Sequence, residues 1–252
     1  MDGCHPVTTP LPPCAQFQPT SVEEHTSVSS YPYLKVIGSL TYAAMGTCSN
    51  ICAAVRSLSL FAAMFSPDHI NGVKHIMQYL AGCPGCSIMY TMGDSELVGY
   101  TNADWANDHI NHCSFSGFMF LYSGVAVSWS SKQQSTVATS LTHAEYIAAA
   151  EASKELVWLC QLPSELCKGM HGPTRLYIDN HTADLLAWNP INHAAMKHVN
   201  IRYHFIRECI MDGSINLKLI GTNDMVADIL TKALAVTKHK HFCQMLGMEM
   251  MP

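Results

Sequence analysis

The chain has 252 residues and a mass of 27.7 kDa, and 48% of its residues are hydrophobic, which is enough for one large folded domain or two small ones. This composition excludes a wholly disordered chain, and no apolar run reaches the ~20 residues required to cross a bilayer. The 11 cysteines are odd in number and scattered, which favours reduced thiols in a soluble intracellular protein, cytoplasmic or nuclear and not secreted.

Charge is the unusual property of the composition. Only 13% of the residues are charged, where about 25% is typical, and the net charge is −5. Arginine is scarce, whereas 14 His, 15 Met and 11 Cys are present. The sequence has no basic stripe of the kind that nucleic-acid-binding proteins carry, so composition by itself argues weakly against such a partner.

The sequence pattern of the N-terminal third predicts an N-terminal leader followed by helices. Residues 1–30 are rich in Pro, Thr and Ser and lack apolar periodicity, which predicts an extended or disordered segment. Apolar residues then recur with helical spacing, and Pro67 stands at a position typical of the first residue of a helix. This pattern predicts three helices, at 33–46, 51–65 and 67–82.

The rest of the chain alternates between strand and helix patterns. Strands are predicted at 87–93, 97–105 and in a hairpin over 117–131 that turns at Ser123-Gly124, giving an antiparallel meander of three or four strands. A long helix is predicted at 142–162, with Thr142 as its N-cap, Glu145 at the capping-box position and an end near Pro163. The later predicted elements are strand 175–179, helix 181–189, helix 201–213, strand 215–221 and helix 224–235. This order predicts an α/β fold with a mixed sheet.

Three carboxylates fall at the ends of predicted elements. Asp179 closes an apolar strand, Glu145 lies in the first turn of the long helix, and Asp228 lies early in the helix after the last strand. Such carboxylates at the end of an α/β sheet suit two Mg²⁺ ions about 4 Å apart, as in phosphodiester hydrolysis. The position on the central strand that would complete a four-residue cluster is Asn102. On spacing alone, however, capping of helix starts is the commoner explanation of such acids.

Longer motifs carry a resemblance to a known family. In order from about Tyr33 to Gly247, they are YLKVIGSLTYAA, LVGYTNADWA, SFSGFMFLYSGVAVSWSSKQQSTVA, THAEYIAAAEASKELVWL, LYIDNHTADLLA, KHVNIRYHFIRE and VADILTKAL. They resemble the C-terminal end of copia-type LTR retrotransposon polyproteins, namely the connection segment after the reverse transcriptase and then the ribonuclease H domain. No polymerase motif of the Y-x-D-D type occurs in the sequence, so the chain resembles a fragment that begins after the catalytic palm.

The resemblance implies a fold, an arrangement of domains and a function. The implied fold is ribonuclease H-like: a mixed five-stranded sheet flanked by helices and preceded by a small helical connection subdomain. The implied arrangement is a leader at 1–30, the connection segment at 31–86, the ribonuclease H-like domain at 87–235 and a C-terminal helix or tail at 236–252. The implied activity is Mg²⁺-dependent endonucleolytic cleavage of RNA in RNA–DNA hybrids during reverse transcription. The implied partners are the hybrid and the reverse transcriptase part of the same polyprotein, with no membrane.

The family's four metal-binding positions fall on residues 102, 145, 179 and 228 of this sequence. Glu145, Asp179 and Asp228 match the family's acids, whereas Asn102 stands where the family's strand motif D-A-D-W-A has its first aspartate. An amide in place of a carboxylate removes one negative charge and one ligand oxygen from a site for two Mg²⁺ ions. The resemblance therefore predicts catalytic residues at these four positions but severely reduced or absent cleavage.

Asp104 is a neighbouring acid on the same predicted strand. It lies on the same face as Asn102 but ~6.6 Å further along, so it does not replace the missing aspartate without a register shift. A second reading of the chain is therefore non-enzymatic: an inactive nucleic-acid-binding or interaction module, or a retroelement remnant without function.

Other departures from the family motifs share one chemical property. The family's T-R-P-D-I reads here as TCSNI, with Cys48, Ser49 and Asn50, and R-R-S-T-S-G reads HCSFSG, with His112 and Cys113. Each of these five replacements can arise from a single C-to-T change on one DNA strand or the other. We therefore interpret the chain as a copy that decayed by cytosine transitions, which explains why arginine is scarce. Because hybrids are held mainly through phosphate contacts, each lost arginine would also weaken binding.

A second candidate metal site begins at Cys83-Pro-Gly-Cys86. Together with His109, His112 and Cys113, this CxxC motif is compatible with a structural zinc site. The alternative is that the motif is only the turn after the third helix.

Overall fold

The computed structural model of the chain describes residues 3–13, 15–90, 96–105, 113–166, 172–179 and 197–250, with side chains except at 162–166, 197–203 and 250. The chain divides into two units, one made of Met1–Met89 and Ile229–Pro252, the other of Tyr90–Asp228. We call them the terminal unit and the sheet unit. The domain limits that the family resemblance implies, at 86/87 and 235/236, stay a prediction.

The helices and strands of the described residues have the following bounds. The helices are α1 (Val22–Val28), α2 (Tyr33–Gly46), α3 (Cys52–Ser59), α4 (Pro67–Ala81), α5 (Leu141–Leu166), α6 (Lys197–Met211) and α7 (Val236–Met245). The strands are β1 (Cys86–Ile88), β2 (Leu97–Asp104), β3 (Phe115–Tyr122), β4 (Val125–Gln133), β5 (Thr174–Ile178), β6 (Ile215–Leu219) and β7 (Met248–Met250), and short 3₁₀ turns lie at Ser49–Ile51 and Val226–Leu230. None of the helices within the described ranges has the length and apolar character needed to span a membrane.

Helix α1 lies inside the segment for which the sequence predicts extended or disordered chain, so that prediction is wrong for residues 22–28. A capping box explains the helix. The Glu24 N–H donates to Ser21 Oγ at 3.2 Å, and the Ser21 N–H donates to the Glu24 carboxylate at 3.1 Å. These reciprocal bonds satisfy backbone donors that an uncapped short helix leaves without partners.

Helices α2 and α4 begin where the sequence predicts, but α3 ends at Ser59 instead of residue 65. Aromatic packing accounts for the early end. The Phe65 ring stacks on Tyr33 with centroids 4.5 Å apart, and Phe61 stacks on His69 at 4.0 Å. These contacts hold the chain after α3 in a non-helical path because tertiary packing outweighs weak helix propensity.

In the described part of the sheet unit, five strands form one mixed sheet in the order β4-β3-β2-β5-β6. Strands β2, β3 and β4 are antiparallel neighbours, whereas β5 runs parallel to β2 and to β6. The β3–β4 turn is the predicted Ser123-Gly124, where both residues have positive φ, 53° and 77°, as tight hairpins require. The predicted fold class is therefore confirmed.

Strand β1 corrects the predicted meander. It spans only three residues and pairs antiparallel with β7, with Cys86 opposite Met250, in a separate two-stranded sheet. The part of the predicted strand beyond residue 90 lies outside the described residues.

The two faces of β2 have different surroundings. Leu97 belongs to a buried cluster with Tyr146 and Ala149 of α5, and Ala103 belongs to a second cluster with residues of the same helix. Because side chains alternate along a strand, Asn102 lies on the face opposite to Leu97 and Ala103. Residues of α6 complete the first cluster.

Helix α5 differs from its prediction at both ends. It begins at Leu141, and Ser140, not Thr142, caps it, because Ser140 Oγ accepts the His143 N–H at 3.1 Å. It continues through Pro163 to Leu166. A proline removes one helix hydrogen bond, which weakens a helix but does not have to end it.

The predicted helix at 224–235 is also wrong in part. Only Val226–Leu230 is helical, as a 3₁₀ turn in which the Asp228 N–H donates to the Met225 carbonyl at 3.1 Å. Residues 225–230 are all buried, so this segment is packed on every side. A surface helix, in contrast, buries only one face. The predicted helix at 181–189 lies outside the described residues.

Candidate functional site

Asn102 lies in the middle strand of the mixed sheet and is 2% exposed. Its amide nitrogen donates a hydrogen bond to Asp228 Oδ1 at 2.5 Å. Asp228 itself is fully buried. The sheet and the 3₁₀ turn thus bring together two of the four predicted site residues that are 126 positions apart in sequence.

Glu145 is the third member of the group, although it does not act as the capping residue that its position suggested. Its carboxylate accepts the backbone N–H of Ala103 at 3.0 Å, and the side chain is 3% exposed. This bond ties the first turn of α5 to the strand residue that follows Asn102. The capping alternative is therefore wrong for Glu145, and its carboxylate lies beside the strand that carries Asn102.

Asp179 directly follows β5, which runs parallel to β2. The register pairs Tyr100 with Tyr177, so Asn102 and Asp179 each lie two residues beyond this pair on neighbouring strands. The strand pairing itself ends at Tyr100 and Tyr177, so Asp179 and Asn102 share the same end of the sheet beyond the last paired residues. Asp179 is half-buried, unlike the other three.

Asp104 lies two residues beyond Asn102 on β2 and does not take its place, as the sequence predicts. The pairing of β2 with β3 is regular from Leu97 to Asp104, with Asn102 opposite Gly117 and Asp104 opposite Phe115. No register shift therefore brings Asp104 into the place of Asn102.

The donor set of this group differs from that of a two-metal site. Mg²⁺ binds oxygen atoms, whereas Asn102 presents an N–H group to Asp228. Among the described residues, no three or more His, Cys, Asp and Glu side chains are arranged to hold a metal ion. The residues as they stand therefore do not fit a pair of Mg²⁺ ions.

Two tyrosines adjoin the group on the same face of the sheet. The rings of Tyr100 and Tyr177 stack with centroids 5.1 Å apart. Tyr100 lies two residues before Asn102, and Tyr177 lies two residues before Asp179. Burial, and then the neighbouring Tyr177, raise the pKa of Tyr100 above its ordinary value. No local sequence pattern marks this pair, because only the register of two strands distant in sequence brings the rings together.

A groove of about 340 Å³ between β3, β4 and α5 is a second feature that sequence reasoning missed. It carries Lys132 and Lys154, but Lys154 pairs with Glu151 at 3.0 Å. The buried Gln134 amide at its base donates to Ser116 Oγ at 2.8 Å and to the Ala144 carbonyl at 2.9 Å. The positive and negative side chains along the groove offset each other. The groove therefore has no excess positive charge that would attract a phosphate backbone.

The Cys83-Pro-Gly-Cys86 motif forms the turn between α4 and β1, as the simpler interpretation predicts. The Cys86 N–H donates to the Cys83 carbonyl at 3.1 Å. Of the other residues of the predicted zinc site, His109 and His112 lie outside the described residues, and Cys113 is a half-buried free thiol. The described cysteines are all free thiols.

The strand order and directions of the sheet unit define a ribonuclease H-like fold, and side chains from α5 and the 3₁₀ turn contact its middle strand at Asn102 and Ala103. Comparison with known proteins extends this class to a family. The chain is 40% identical over 254 residues to the retrovirus-related Pol polyprotein from transposon TNT 1-94 of Nicotiana tabacum, covering 99% of this chain and 19% of that protein. It is 37% identical over 248 residues to the Pol polyprotein from transposon RE1 of Arabidopsis thaliana, covering 98% and 17%.

The chain therefore belongs to the copia-type retrotransposon Pol polyprotein family, which confirms the resemblance drawn from its motifs. It spans about a fifth of the length of these relatives. A shorter relative is the secreted RxLR effector protein 161 of Plasmopara viticola, 41% identical over 133 residues, covering 52% of this chain and 94% of that protein. No protein-family model matches the chain.

Solved structures show partial similarity. One is LC11-RNase H1 isolated from compost, 14% identical, covering 54% of this chain and 93% of that chain with a TM-score of 0.42. Another is the foamy viral protease-reverse transcriptase in complex with dsDNA, 15% identical, covering 80% and 42% with a TM-score of 0.44.

Proposed function

We propose that the sheet unit is the ribonuclease H part of a copia-type Pol polyprotein and that cleavage of RNA in RNA–DNA hybrids is impaired in this copy. The observation that carries the proposal is the hydrogen bond from the Asn102 amide to Asp228. It supports the proposal because it joins two of the four expected site positions and puts a donor where the chemistry needs a carboxylate oxygen.

The ancestral site had four carboxylates, at 102, 145, 179 and 228. Mg²⁺ held by these carboxylates supplies activation of the attacking water and stabilisation of the leaving oxygen. In this chain Asn102 instead satisfies Asp228 directly, and Glu145 accepts the backbone N–H of Ala103. The site is therefore held together by protein hydrogen bonds where the ancestor needed cations to offset the repulsion between carboxylates.

The proposed substrate is an RNA–DNA hybrid, and the proposed ancestral partner is the reverse transcriptase part of the same polyprotein inside the cell, in the cytoplasm or nucleus. Support comes from the polyprotein relatives, of which this chain covers 17–19%. With 13% charged residues and few arginines, we expect weak hybrid binding with a shallow salt dependence.

The decisive experiment is cleavage of a 5′-labelled RNA in an RNA–DNA hybrid with Mg²⁺, comparing the natural chain with Asn102→Asp. We expect the reversion to raise the cleavage rate on the order of 100-fold, because it restores a direct metal ligand. Equal rates for the two proteins would refute the proposal.

Asn50→Asp is the matched control for this experiment. Asn50 also stands where a family motif has aspartate, but it lies in the terminal unit, so we expect no change in cleavage. A similar gain from Asn50→Asp would show that the effect does not come from the acid cluster. Adding Asp228→Asn to Asn102→Asp should abolish the gain.

A second candidate function is a non-enzymatic interaction module. The observation that favours it is the short effector relative, 94% of whose length aligns with about half of this chain. Fluorescence anisotropy with a labelled hybrid in EDTA measures binding, and the cleavage assay with Mg²⁺ then separates the two candidates. A module that recognises hybrids binds them equally well with and without Asn102→Asp, and neither protein cleaves them when Mg²⁺ is present.

A further inference from the structure

Three of the described cysteines line one cavity of the terminal unit. The cavity has a volume of about 650 Å³, and its walls include Cys83 and Cys86 from the turn after α4 and Cys243 from α7. All three thiols are free and half-buried. A small thiol reagent that enters this cavity therefore meets several sulfur atoms, although the three are not arranged as a metal site.

The backbone favours one pair among these thiols. The hydrogen bond from the Cys86 N–H to the Cys83 carbonyl, 3.1 Å long, closes a four-residue turn around Pro84 and Gly85. Such turns bring the first and fourth Cα atoms within about 7 Å, and disulfides need about 4.4–6.8 Å. The turn thus holds Cys83 and Cys86 at a separation that a disulfide can bridge with little backbone movement.

We propose that Cys83 and Cys86 form a redox-active dithiol that exchanges with low-molecular-weight disulfides, such as glutathione disulfide, to give a Cys83–Cys86 bridge. This site is independent of the nuclease proposal, because it lies in the terminal unit.

The electrostatic surroundings assign different roles to the two sulfurs. Burial raises the pKa of both thiols, but Lys240 lowers that of Cys83, whereas Cys83 and Cys48 raise that of Cys86 further. Of the two, only Cys83 has a neighbouring cation that favours its thiolate, so we assign the attack to Cys83 and the resolving step to Cys86. Burial raises the pKa of the competing Cys243 to about 12, which keeps that thiol protonated at neutral pH.

The exchange has two balanced steps. The Cys83 thiolate attacks one sulfur of glutathione disulfide, forms a mixed disulfide and releases one glutathione thiolate, which takes up the proton that Cys83 lost. The Cys86 thiolate then attacks the Cys83 sulfur, forms the protein disulfide and releases the second glutathione. Two electrons pass from the protein to the reagent, which leaves as two thiols.

The bridge would join the end of α4 to the first residue of β1. Gly82 caps α4 just before Cys83, and Cys86 pairs with Met250 in the two-stranded sheet of β1 and β7. Oxidation therefore restrains the connection that leads from α4 into this sheet.

The test treats the full chain, purified in reducing buffer, with glutathione disulfide and maps the cysteines by alkylation and mass spectrometry. We expect a bridge between Cys83 and Cys86, seen as the loss of two hydrogen atoms within one peptide. In Cys86→Ser, we expect a lasting glutathione adduct on Cys83. In Cys243→Ser, the matched control on the same cavity, we expect the bridge to form as in the natural chain.

Three results would overturn the proposal: no bridge between Cys83 and Cys86, a bridge from either of them to Cys48 or Cys243, or no adduct on Cys83 in Cys86→Ser. The first two results are measured on the natural chain. They can therefore refute the proposal even if the Cys86→Ser variant does not fold.

Discussion

The Asn102 amide replaces repulsion with attraction at the centre of the acid cluster. An aspartate at this position would place two carboxylate groups in contact at a buried site, and like charges at such distances require a proton or a cation between them. The amide has almost the same shape but donates to Asp228. An amide nitrogen in place of one carboxylate oxygen thus makes the site stable without a metal. The same change removes a ligand that a metal needs.

Mg²⁺ should therefore stabilise the Asn102→Asp variant but not the natural chain. Asn102→Asp should melt at a lower temperature than the natural chain in EDTA, because it loses a charge-assisted hydrogen bond worth about 1.5–3 kcal/mol and gains a repulsion. Added Mg²⁺ should raise its melting temperature but leave that of the natural chain unchanged. Differential scanning calorimetry measures both, and an equal response of the two proteins would contradict this account.

Gly99 shows how closely the sheet is packed. A Cβ atom at this position would come within 2.6 Å of a Phe120 ring carbon and 2.8 Å of a Leu176 methyl carbon. Both neighbours are fully buried. The strand therefore has no room for a larger residue here, although glycine weakens strands elsewhere.

Gly99→Ala should therefore destabilise the sheet unit by about 1–3 kcal/mol, the usual cost of overpacking. Gly38→Ala is the matched control, because Gly38 is exposed inside α2 with no atom within 4 Å of an added Cβ. There alanine should stabilise the helix by about 0.5–1 kcal/mol. Urea unfolding of both variants checks the two signs, and the same sign for both would refute the packing argument.

Helix α7 is attached to α4 by a buried polar chain. The Asn50 amide donates to the Tyr79 hydroxyl oxygen at 2.6 Å, and the Tyr79 hydroxyl lies 3.0 Å from His239 Nε2. Burial lowers the pKa of His239 to about 4. His239 is therefore neutral at physiological pH and accepts the hydroxyl hydrogen.

The free energy of unfolding should consequently fall with acidification. Between pH 6.5 and about 4 the unfolded chain binds a proton at His239 that the folded chain does not, so stability is complete above this window and is lost as the pH drops through it. The loss amounts to about 3 kcal/mol at most. Urea unfolding followed by circular dichroism at about pH 7 and about pH 4.5 measures it.

Two variants isolate the share of His239 in this pH dependence. His69, whose pKa burial also lowers, contributes in the same direction and leaves a remaining slope. His239→Gln should flatten the pH dependence, whereas His241→Gln, at an exposed position of the same helix, should not. An unchanged slope in His239→Gln would rule out this histidine as a source.

Tryptophan fluorescence can follow the unfolding of one of the two units by itself. All four tryptophans, at 105, 129, 158 and 188, fall within the range of the sheet unit, so tryptophan fluorescence reports that unit alone. Far-UV circular dichroism also reports the helices of the terminal unit. Each unit has buried residues of its own, so each can unfold in a separate transition.

We therefore expect the urea transitions from fluorescence and from circular dichroism not to coincide. Gly99→Ala should move the fluorescence transition to lower urea concentration, and Gly38→Ala should leave it in place. Coincident transitions in the natural chain and in both variants would show that the units unfold as one.

Local patterns in the sequence predicted much of this fold. Helix α2 matches its predicted bounds, and the Ser123-Gly124 turn and the strands around it follow from turn chemistry and from side-chain alternation, which are short-range effects. Predictions failed where long-range packing decides the backbone. Buried contacts on every side replaced the helix at 224–235 with a 3₁₀ turn, and aromatic stacking ended α3 early.

The sequence by itself determined the family and the fold class, because each rests on residue identities in a recognisable order, and it predicts the four positions of the acid cluster. Only the tertiary structure decided what these residues do to one another. The strand register pairs Tyr100 with Tyr177, Glu145 holds a strand N–H instead of capping its helix, and the Asn102 amide reaches Asp228. Hydrogen bonds between residues far apart in the chain depend on three-dimensional distance, which no local pattern encodes.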